Sequence, residues 1–381
     1  MHIDQLTLKN FRNFESVDIP LNSKMNIVIG NNGSGKSSLL MGALTAASAF
    51  FLGIDYASPR SIKTDDVRYV AHEIKKVYQQ VAVYPVEVSC EGVVNGVTCK
   101  WSRSLSGPKS NTTYGGASDL RNIASALQKS ASKEHSEDVL PLIAYYGTGR
   151  LWAQKQAKKK GKQKLKSRFE GYQDCIAEQA TDKQLLEWFS ETTLLVSQEG
   201  PIPQMTAVQQ ALERCFADLI DHDETQKVKV EYRQRYRTIV VEYTNRAGER
   251  ELHPMYEMSD GYRSVLSMVA DIAHRMAVLN PKLGDAILET PSIIVIDEVE
   301  LHLHPGWRKR ILKDLTSVFP NIQFIVSTHS PEVITSYKEA NLILLKHEGS
   351  ATQIESAHGK DVNTVFRSIL LVRDRPTEIE E

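Results

Sequence analysis

The pattern of apolar and polar residues along the chain predicts two kinds of strand and several helices. Residues 2–9 alternate between apolar and polar side chains, as in a strand with one buried face. Short apolar runs predict strands buried on both faces at residues 27–29, 140–145, 292–296 and 324–327. Apolar residues recur at helical spacing within residues 39–47, 120–127, 185–219 and 265–276. Hairpins are predicted over 84–105, with a turn at Asn95-Gly96, and over 228–243.

A glycine-rich loop joins the buried strand 27–29 to the helix that follows. Gly30, Gly33, Gly35, Lys36 and Ser37 satisfy the pattern G-x-x-x-x-G-K-[ST] of a P-loop. Such glycines let successive backbone N–H groups point at a phosphate, and the helix directs the positive end of its dipole there. The predicted phosphate-binding residues are Asn31, Asn32, Gly33, Ser34, Gly35, Lys36, Ser37 and Ser38.

Two side chains of the P-loop have individual predicted roles. Lys36 is expected to face solvent in the empty loop and to reach the β- and γ-phosphates of ATP, and the Ser37 hydroxyl is expected to bind Mg²⁺. Replacement of Lys36 by alanine should then abolish nucleotide binding without unfolding the chain.

Carboxylates and a histidine follow two of the buried strands. Asp297 and Glu298 come directly after the strand 292–296, where Asp297 is predicted to hold Mg²⁺ and Glu298 to act as general base on the attacking water. His329 follows the strand 324–327 and resembles the switch histidine of ABC-type ATPases, which implies that it contacts the γ-phosphate and holds the water in line; a structural histidine is the alternative. His302 and His304 are not expected to bind zinc, because Asp297 already provides a ligand for a hard cation.

A Ser-Asp-Gly sequence opens the helix predicted after residue 258. A serine hydroxyl and a glycine N–H at a helix N-terminus can clamp a γ-phosphate, which assigns this role to Ser259 and Gly261. Taken alone the sequence is also a common helix cap. The segment resembles the signature motif of ABC-type ATPases, and this resemblance implies a clamp that works in trans, so that a competent site requires two chains and a homo-oligomer, at least a dimer, is expected in the ATP state.

Composition and charge narrow the possible partners and location. The chain has 381 residues and a net charge of -1, so nucleic-acid binding would require a local basic patch. The four cysteines lack C-x-x-C spacing, and in the predicted hairpin Cys99 faces Gly92, which predicts reduced thiols. The sequence shows no signal peptide or transmembrane segment, so a cytoplasmic location without membrane contact is expected.

One segment carries a strong excess of positive charge. Eight basic residues and no acidic residue lie within the basic run, which extends from Lys155 to Arg168. Mutual repulsion favours an extended segment until a polyanion neutralises it, so DNA or RNA is one possible partner. A solvated linker is the alternative, since the run contains no aromatic residue for base stacking.

The order of these motifs, together with the N-F-R-x-F element at residues 10–14, resembles the RecF/SMC-like branch of ABC-type ATPase heads. The resemblance implies an α/β fold, with a mostly parallel central sheet, an antiparallel β-subdomain and a helical insertion. It implies ATP and Mg²⁺ as cofactors. The expected organisation is an ATPase lobe with the P-loop at 1–150, a helical, basic insertion at 151–225, and an ATPase lobe with the signature, Walker B and switch histidine at 226–381.

The same resemblance assigns two further positions. In this branch an arginine lies near the nucleotide, which makes Arg12 a candidate phosphate or adenine contact, with a solvated turn arginine as the alternative. The strand 140–145 leads to the position of the Q-loop, but its glutamine is missing, and Thr148 or Arg150 remain as substitutes.

Three runs, at residues 145–152, 258–264 and 297–305, are similar to the PtuA-like ATPases of Septu and retron anti-phage systems. The resemblance implies an ATP-driven regulatory subunit that works beside a separate HNH-type nuclease. Two alternatives remain: a DNA-repair clamp in the manner of RecF, and a nucleotide-locked scaffold with little turnover.

Overall fold

The structure, a computed structural model, describes residues 1–74, 77–149, 167–177, 182–220, 228–245, 247–346, 349–354, 357–360 and 364–365. In chain order the strands are β1 (His2–Phe11), β2 (Phe14–Pro20), β3 (Met25–Gly30), β4 (Arg68–Ile74), β5 (Val77–Val83), β6 (Val86–Val94), β7 (Val97–Leu105), β8 (Leu142–Tyr146), β9 (Lys229–Arg233), β10 (Thr238–Thr244), β11 (Arg250–Pro254), β12 (Ser292–Ile296), β13 (Ile322–Ser327), β14 (Asn341–Leu345) and β15 (Ala351–Ile354). The α-helices are α1 (Lys36–Ala47), α2 (Ser118–Ala131), α3 (Asp182–Glu199), α4 (Pro203–Ile220), α5 (Asp260–Leu279), α6 (Pro305–Arg308), α7 (Ile311–Val318) and α8 (Pro331–Ile334). Short 3-10 helices lie at Ser48–Gly53, Thr64–Asp66, Gly115–Ala117, Arg168–Tyr172, Met255–Glu257 and Pro281–Glu289.

The chain divides into two compact units, and each is made of separate chain segments. The first unit contains Met1–Asp138, Ser292–Glu300 and Gln323–Glu381, and the second contains Val139–Pro291 and Leu301–Ile322. In the first unit, β12 and most of β13 lie in the sheet that contains β3, so two late segments of the chain return to this unit. The three segments at 1–150, 151–225 and 226–381 stay a prediction from the sequence.

A largely parallel sheet positions the P-loop in the first unit. Its strands run in the order β15-β14-β3-β13-β12, and β3 pairs in parallel with both β14 and β13. Every residue of β3 and β13 is buried, which accounts for their continuous apolar sequences. Because β3 and β13 are parallel, their carboxyl ends meet at one edge, where the P-loop begins and the segment with His329 follows.

An antiparallel sheet in the first unit has the order β2-β1-β6-β7, which agrees with the expected antiparallel subdomain. The predicted turn at Asn95-Gly96 joins β6 to β7, and both residues have positive φ, as that turn type requires. The pairing of Gly92 with Cys99 confirms the predicted register, and all four cysteines are free. Strands β4 and β5 form an additional antiparallel pair, and α2 is longer than the predicted helix 120–127.

The second unit combines helices with a small antiparallel sheet. The predicted hairpin over 228–243 is present as β9 and β10, and β11 adds a third strand. Helix α5 buries most of its apolar residues, and Arg275 on this helix donates to Asp271 and to the carbonyl groups of Gly171 and Gln173.

Within the described part of the chain, one helical stretch is long and apolar enough to cross a membrane. It comprises Lys36–Gly53, and 89% of it is buried. This stretch is α1 with the 3-10 turn that follows it, and α1 packs against β1, β3, β6, β7 and β12 of the first unit. A role as a core helix explains its composition.

Candidate nucleotide-binding site

The loop between β3 and α1 has the curled backbone expected from its glycines. Gly30, Gly33 and Gly35 all have positive φ, at +150°, +76° and +100°. A Cβ atom on Gly30 would lie 2.6 Å from the Ser34 hydroxyl oxygen and 2.7 Å from the Leu345 carbonyl oxygen. Only glycine fits at this position, both for conformation and for space.

Lys36 lies at the start of α1 and is 7% exposed. Its Nζ donates to the carbonyl oxygens of Gly30 at 2.9 Å and Asn31 at 3.0 Å. The expectation that this lysine faces solvent in the empty loop is therefore wrong, because the loop turns two of its own carbonyl groups toward the ammonium. Burial lowers the pKa of Lys36 below its ordinary value, and the nearby Asp297, Glu298 and Glu300 partly offset this effect.

Ser327, the last residue of β13, bonds to the Asp297 carboxylate and to the backbone of Glu298. The Ser327 hydroxyl donates to Asp297 Oδ1 at 2.5 Å and accepts the backbone N–H of Glu298 at 2.8 Å. Glu298 has φ +50°, a conformation that side-chain-bearing residues seldom adopt. The contacts with Ser327 stabilise this conformation. They fix the Asp297 carboxylate and the backbone from which the Glu298 side chain extends.

His329 lies two residues beyond Ser327. Its backbone N–H donates to Glu300 Oε1 at 2.6 Å. Burial lowers the pKa of the His329 imidazole below its ordinary value, and the positive charge of Lys36 lowers it further, against the opposing effect of Glu300, Glu298 and Asp297. The ring is therefore mainly neutral at pH 7.

These side chains surround one cavity of about 480 Å³ in the first unit. Its lining residues are Asn13, Asn32, Gly33, Gly35, Lys36, Ser37, Ser38, Asp297, Glu298 and His329. Two other predicted P-loop residues are not among them: Asn31 accepts from Lys36 through its carbonyl, and Ser34 is 1% exposed. The cavity thus combines an ammonium group and hydroxyls at the helix start with two carboxylates and an imidazole.

This donor set fits a triphosphate with a small divalent cation. The ammonium and the helix N-terminus favour phosphate, while a carboxylate and a hydroxyl provide oxygen ligands. No group of three or more His, Cys, Asp or Glu side chains that could hold a metal occurs among the described residues. Mg²⁺ usually keeps several waters and binds through one or two carboxylates together with substrate phosphates, and Asp297 and the Ser37 hydroxyl line the cavity as candidate ligands.

Three residues of this site were not singled out from the sequence. Asn13 Nδ2 donates to the Gly33 carbonyl at 3.1 Å, and Ser327 and Glu300 hold the backbones of Glu298 and His329. Asn13 occupies the variable position of N-F-R-x-F, and Glu300 is part of the 297–305 run, so position within these motifs was the available signal.

Arg12 has a different environment from the one expected. Its guanidinium donates to Asp66 Oδ1, with both Nε and Nη2 at 2.8 Å, and Asp66 also binds Arg60 at 2.7 Å. Arg12 is not among the described residues that line the cavity. Asp66 is fully buried, so these contacts join Arg12 to the interior of the first unit.

The signature residues lie at the start of α5 in the second unit. Ser259 occupies the N-cap position, is exposed, and makes no side-chain capping hydrogen bond within the described part of the chain. Gly261 is buried, and a Cβ atom there would lie 2.4 Å from the His302 carbonyl oxygen. The requirement for glycine at 261 therefore has a packing reason within the unit itself.

Only some of the predicted Q-loop and basic-run residues lie among the described residues. Thr148 is exposed, whereas Arg150 and residues 155–166 of the basic run lie outside the described residues. Arg168, the last residue of the run, donates to the Leu279 carbonyl at 2.5 Å and to Asn280 Oδ1 at 2.9 Å. These contacts show that Arg168 is bound within the second unit rather than presented to a polyanion.

The fold and the site together define a P-loop ATPase of the RecF/SMC-like kind. A protein-family profile described as "AAA domain" matches residues 5–243, and the chain belongs to this family. It is similar to the "Retron Ec83 probable ATPase" of Escherichia coli, with 26% identity over 99% of this chain and 78% of that protein. It is also similar to the "Septu protein PtuA" of Bacillus mycoides (strain KBAB4), with 30% identity over 37% of this chain and 18% of that protein.

A solved structure supports the fold assignment. The Smc head bound to the C-winged helix domain of ScpA matches with a TM-score of 0.51 and 16% identity, over 94% of this chain and 98% of that chain. The comparisons thus confirm the resemblance to RecF/SMC-like ATPases close to PtuA.

Proposed function

We propose that the first unit binds ATP with Mg²⁺ in its 480 Å³ cavity and that hydrolysis follows there. The observation that carries the proposal is the meeting of Lys36, Asp297, Glu298 and His329 around this one cavity. The backbone N–H groups of the P-loop and Lys36 would bind the phosphates. Asp297 and Ser37 would hold the Mg²⁺ ion, which supplies charge neutralisation at the β- and γ-phosphates.

In the chemical step, Glu298 takes the role of general base on the attacking water. His329, mainly neutral at pH 7, donates a ring N–H to a γ-phosphate oxygen and so helps to hold the water in line. The Ser327 contacts keep the Glu298 backbone in its positive-φ conformation during this step. Retention of both catalytic groups argues against a scaffold that hardly turns over, and a steady-state ATPase assay tests that alternative.

Association of two chains completes the proposed site. Ser259 and Gly261 of one protomer would clamp the γ-phosphate bound by Lys36 of its partner. The exposed Ser259 hydroxyl, which makes no capping bond within the described part of the chain, supports this role. ATP should therefore drive formation of at least a dimer, and hydrolysis should release it.

The test uses a variant that binds ATP without turning it over. Glu298→Gln keeps the shape of the side chain but cannot accept the proton, so turnover should slow by about 10²-fold or more while binding persists. Light scattering with ATP and Mg²⁺ should then show an accumulated dimer, and adding Ser259→Arg should abolish it. An oligomeric state of Glu298→Gln that is indifferent to ATP would contradict the two-chain mechanism.

We further propose that this ATPase regulates a separate nuclease, of HNH type, in anti-phage defence in the cytoplasm. Similarity to the retron ATPase over nearly the whole chain, and to a Septu protein over part of it, supports this assignment. Affinity purification of the chain from its native host, followed by mass spectrometry, should recover a nuclease. Recovery of the chain with recombination proteins instead would favour the repair-clamp alternative.

The basic run supports a second candidate, a RecF-like clamp on DNA. Replacement of the lysines from Lys155 to Lys166 by glutamine should weaken DNA or RNA binding and flatten its salt dependence without changing ATP hydrolysis. The control is Arg168→Gln, because Arg168 is already bound to Leu279 and Asn280. Unchanged binding with the same salt slope in the lysine variant would identify the run as a linker.

A further inference from the structure

Two chain segments of the nucleotide site are held together by a set of hydrogen bonds. The segment after β12 comprises residues 297–300, and the segment at the end of β13 comprises residues 327–330. Ser327 binds Asp297 and Glu298 through its hydroxyl, and its carbonyl accepts the N–H of Val299 at 3.1 Å. These bonds join the first three residues of one segment to the first residue of the other.

Glu300 makes the remaining link, and it does so with a buried charge. Glu300 is 8% exposed, and its Oε1 accepts a hydrogen bond from the backbone N–H of His329 at 2.6 Å. The second oxygen, Oε2, is buried without a hydrogen-bond partner among the described residues. A buried carboxylate with one unsatisfied oxygen costs folding free energy, so stability alone does not explain a glutamate here.

Hydrogen bonds from three consecutive backbone amides, at residues 328–330, fix the backbone around His329. The preceding residue, Thr328, is fully buried and donates its N–H to the Val28 carbonyl of β3 at 3.2 Å. The following residue, Ser330, donates its N–H to the Thr328 hydroxyl at 3.0 Å. Between these two amides, the N–H of His329 is held by Glu300, so Glu300 determines the orientation of the peptide that carries the imidazole.

We propose that Glu300 is a positioning residue for His329. It acts through the acceptor atom Oε1, which holds the His329 peptide so that the imidazole points into the cavity lined by Lys36 and Glu298. This inference rests on the proposed contact of His329 with the γ-phosphate. Catalytic groups lose efficiency when displaced by about 1 Å, by as much as about 10²-fold, so loss of this link should lower kcat rather than ATP binding.

Two conservative variants separate this role from a purely electrostatic one. Glu300→Gln removes the charge but keeps an oxygen at the Oε1 position, so kcat should stay within about threefold of the parent. Glu300→Asp keeps the charge but is one methylene too short to reach the His329 N–H, so kcat should fall by about tenfold or more with KM nearly unchanged. Steady-state ATPase kinetics measure both values. The reverse order, with Asp active and Gln impaired, would overturn the proposal.

Combination with His329→Ala tests whether the effect passes through the histidine. In the His329→Ala background, Glu300→Asp should cause no further loss of kcat, since there is no ring left to orient. Multiplying losses would overturn the positioning role while leaving the proposed function of His329 intact. An unchanged kcat in His329→Ala alone would overturn both. Asp314→Asn is the control, because Asp314 is a buried carboxylate of the second unit, and its kinetics should match the parent.

Discussion

The nucleotide cavity of the first unit and the signature segment of the second unit are held in different ways. In the cavity, hydrogen bonds hold the residues that carry the functional groups: Lys36 donates to carbonyls of its own loop, the Asp297 carboxylate accepts from Ser327, and the Glu298 backbone donates to Ser327. In the signature segment, Ser259 is exposed and makes no capping bond within the described residues, whereas Gly261 lies within α5 and packs closely on the His302 carbonyl.

This difference shows which of the proposed functional groups a single chain already holds in position. The cavity is preorganised, because its hydrogen bonds hold the charged groups in place before any ligand arrives. The signature segment has a fixed helical backbone, but the Ser259 hydroxyl makes no capping bond within the described residues, as expected for a group whose partner belongs to a second protomer. We therefore expect variants of the cavity to affect a single chain and variants of Ser259 to affect association.

The largest effect is expected for Lys36→Ala. The variant loses the ammonium that binds the β- and γ-phosphates, so ATP affinity should fall by about 10²-fold or more, or about 3 kcal/mol. Stability of the free protein should change little, because relief from burying a charge offsets the loss of two hydrogen bonds to Gly30 and Asn31. Isothermal calorimetry measures the affinity, with Lys100→Ala, on the surface, as control. Binding equal to that of the parent would disprove the P-loop assignment.

A second large effect is expected outside the cavity, at the buried Asp66. Asp66→Asn removes the charged partner that Arg12 and Arg60 share and should lower the free energy of unfolding by about 3 kcal/mol at pH 7. Asp65→Asn, at the exposed neighbouring position, should change it by less than about 0.5 kcal/mol. Urea unfolding provides both values.

The contribution of Asp66 should also depend on pH. Burial raises the pKa of the Asp66 carboxyl, but the hydrogen bond and charge of Arg60, the Lys63 amide and the charge of Arg12 together hold it below the ordinary value of 3.8. The stabilisation is therefore complete above pH 3.8 and is lost as pH falls through the lower pKa of the folded state. The difference between the parent and Asp66→Asn should narrow in acid; a constant difference down to pH 2 would show that charge is not its cause.

Substitution of the two signature residues should affect different properties: stability for Gly261 and association for Ser259. Gly261→Ala places a Cβ atom 2.4 Å from the His302 carbonyl oxygen and should lower the free energy of unfolding by about 1–3 kcal/mol. Ser259→Ala should leave stability unchanged, although loss of a capping serine usually costs about 1 kcal/mol, because Ser259 makes no capping bond within the described part of the chain. It should instead weaken ATP-driven association of Glu298→Gln in light scattering. Destabilisation by Ser259→Ala without a change in association would reverse the comparison.

Local sequence predicted the elements whose partners are close along the chain. The strand, loop and helix over residues 25–47 follow from apolar pattern and glycine spacing, and the Asn95-Gly96 turn sets the register of β6 and β7. The two carboxylates after β12 follow from the same kind of pattern. In each case the local structure is determined by interactions among a few residues that are close together in the sequence.

Contacts between distant residues were not predicted, because they depend on how the sheets bring segments together. Asp66 lies 54 residues from Arg12, and Glu300 lies 29 residues from His329. The strand pair β4–β5 was missed for another reason: Tyr69 and Val81 are exposed, and none of the side chains described in these two strands is buried, so burial produces no alternating pattern there. The buried state of Lys36 depends on carbonyl directions in the loop, which a motif does not specify.

The smallest effect is expected for Ser34→Ala, and the direction in which it changes the free energy of unfolding is informative. The Ser34 hydroxyl is buried and has no hydrogen-bond partner among the described residues, and Ser34 is not among the described residues that line the cavity. Removal of an unsatisfied buried hydroxyl should leave the free energy of unfolding unchanged or raise it by up to about 1 kcal/mol. ATP affinity should change by less than about threefold, because a P-loop binds phosphate chiefly through backbone N–H groups.

Ser38→Ala provides the matched control for this variant. Ser38 lines the cavity and its hydroxyl donates to Asn13 Oδ1 at 3.4 Å, so its removal breaks a contact between the P-loop helix and the loop at residue 13. Because 3.4 Å is long for an O–H···O hydrogen bond, Ser38→Ala should lower the free energy of unfolding by only about 0.5 kcal/mol, where Ser34→Ala does not lower it. Chemical unfolding and calorimetry on both variants measure the difference. If Ser34→Ala destabilised the free protein while Ser38→Ala did not, the hydrogen bonds that distinguish the two serines would not describe the loop in solution, and the cavity would be less preorganised than its geometry indicates.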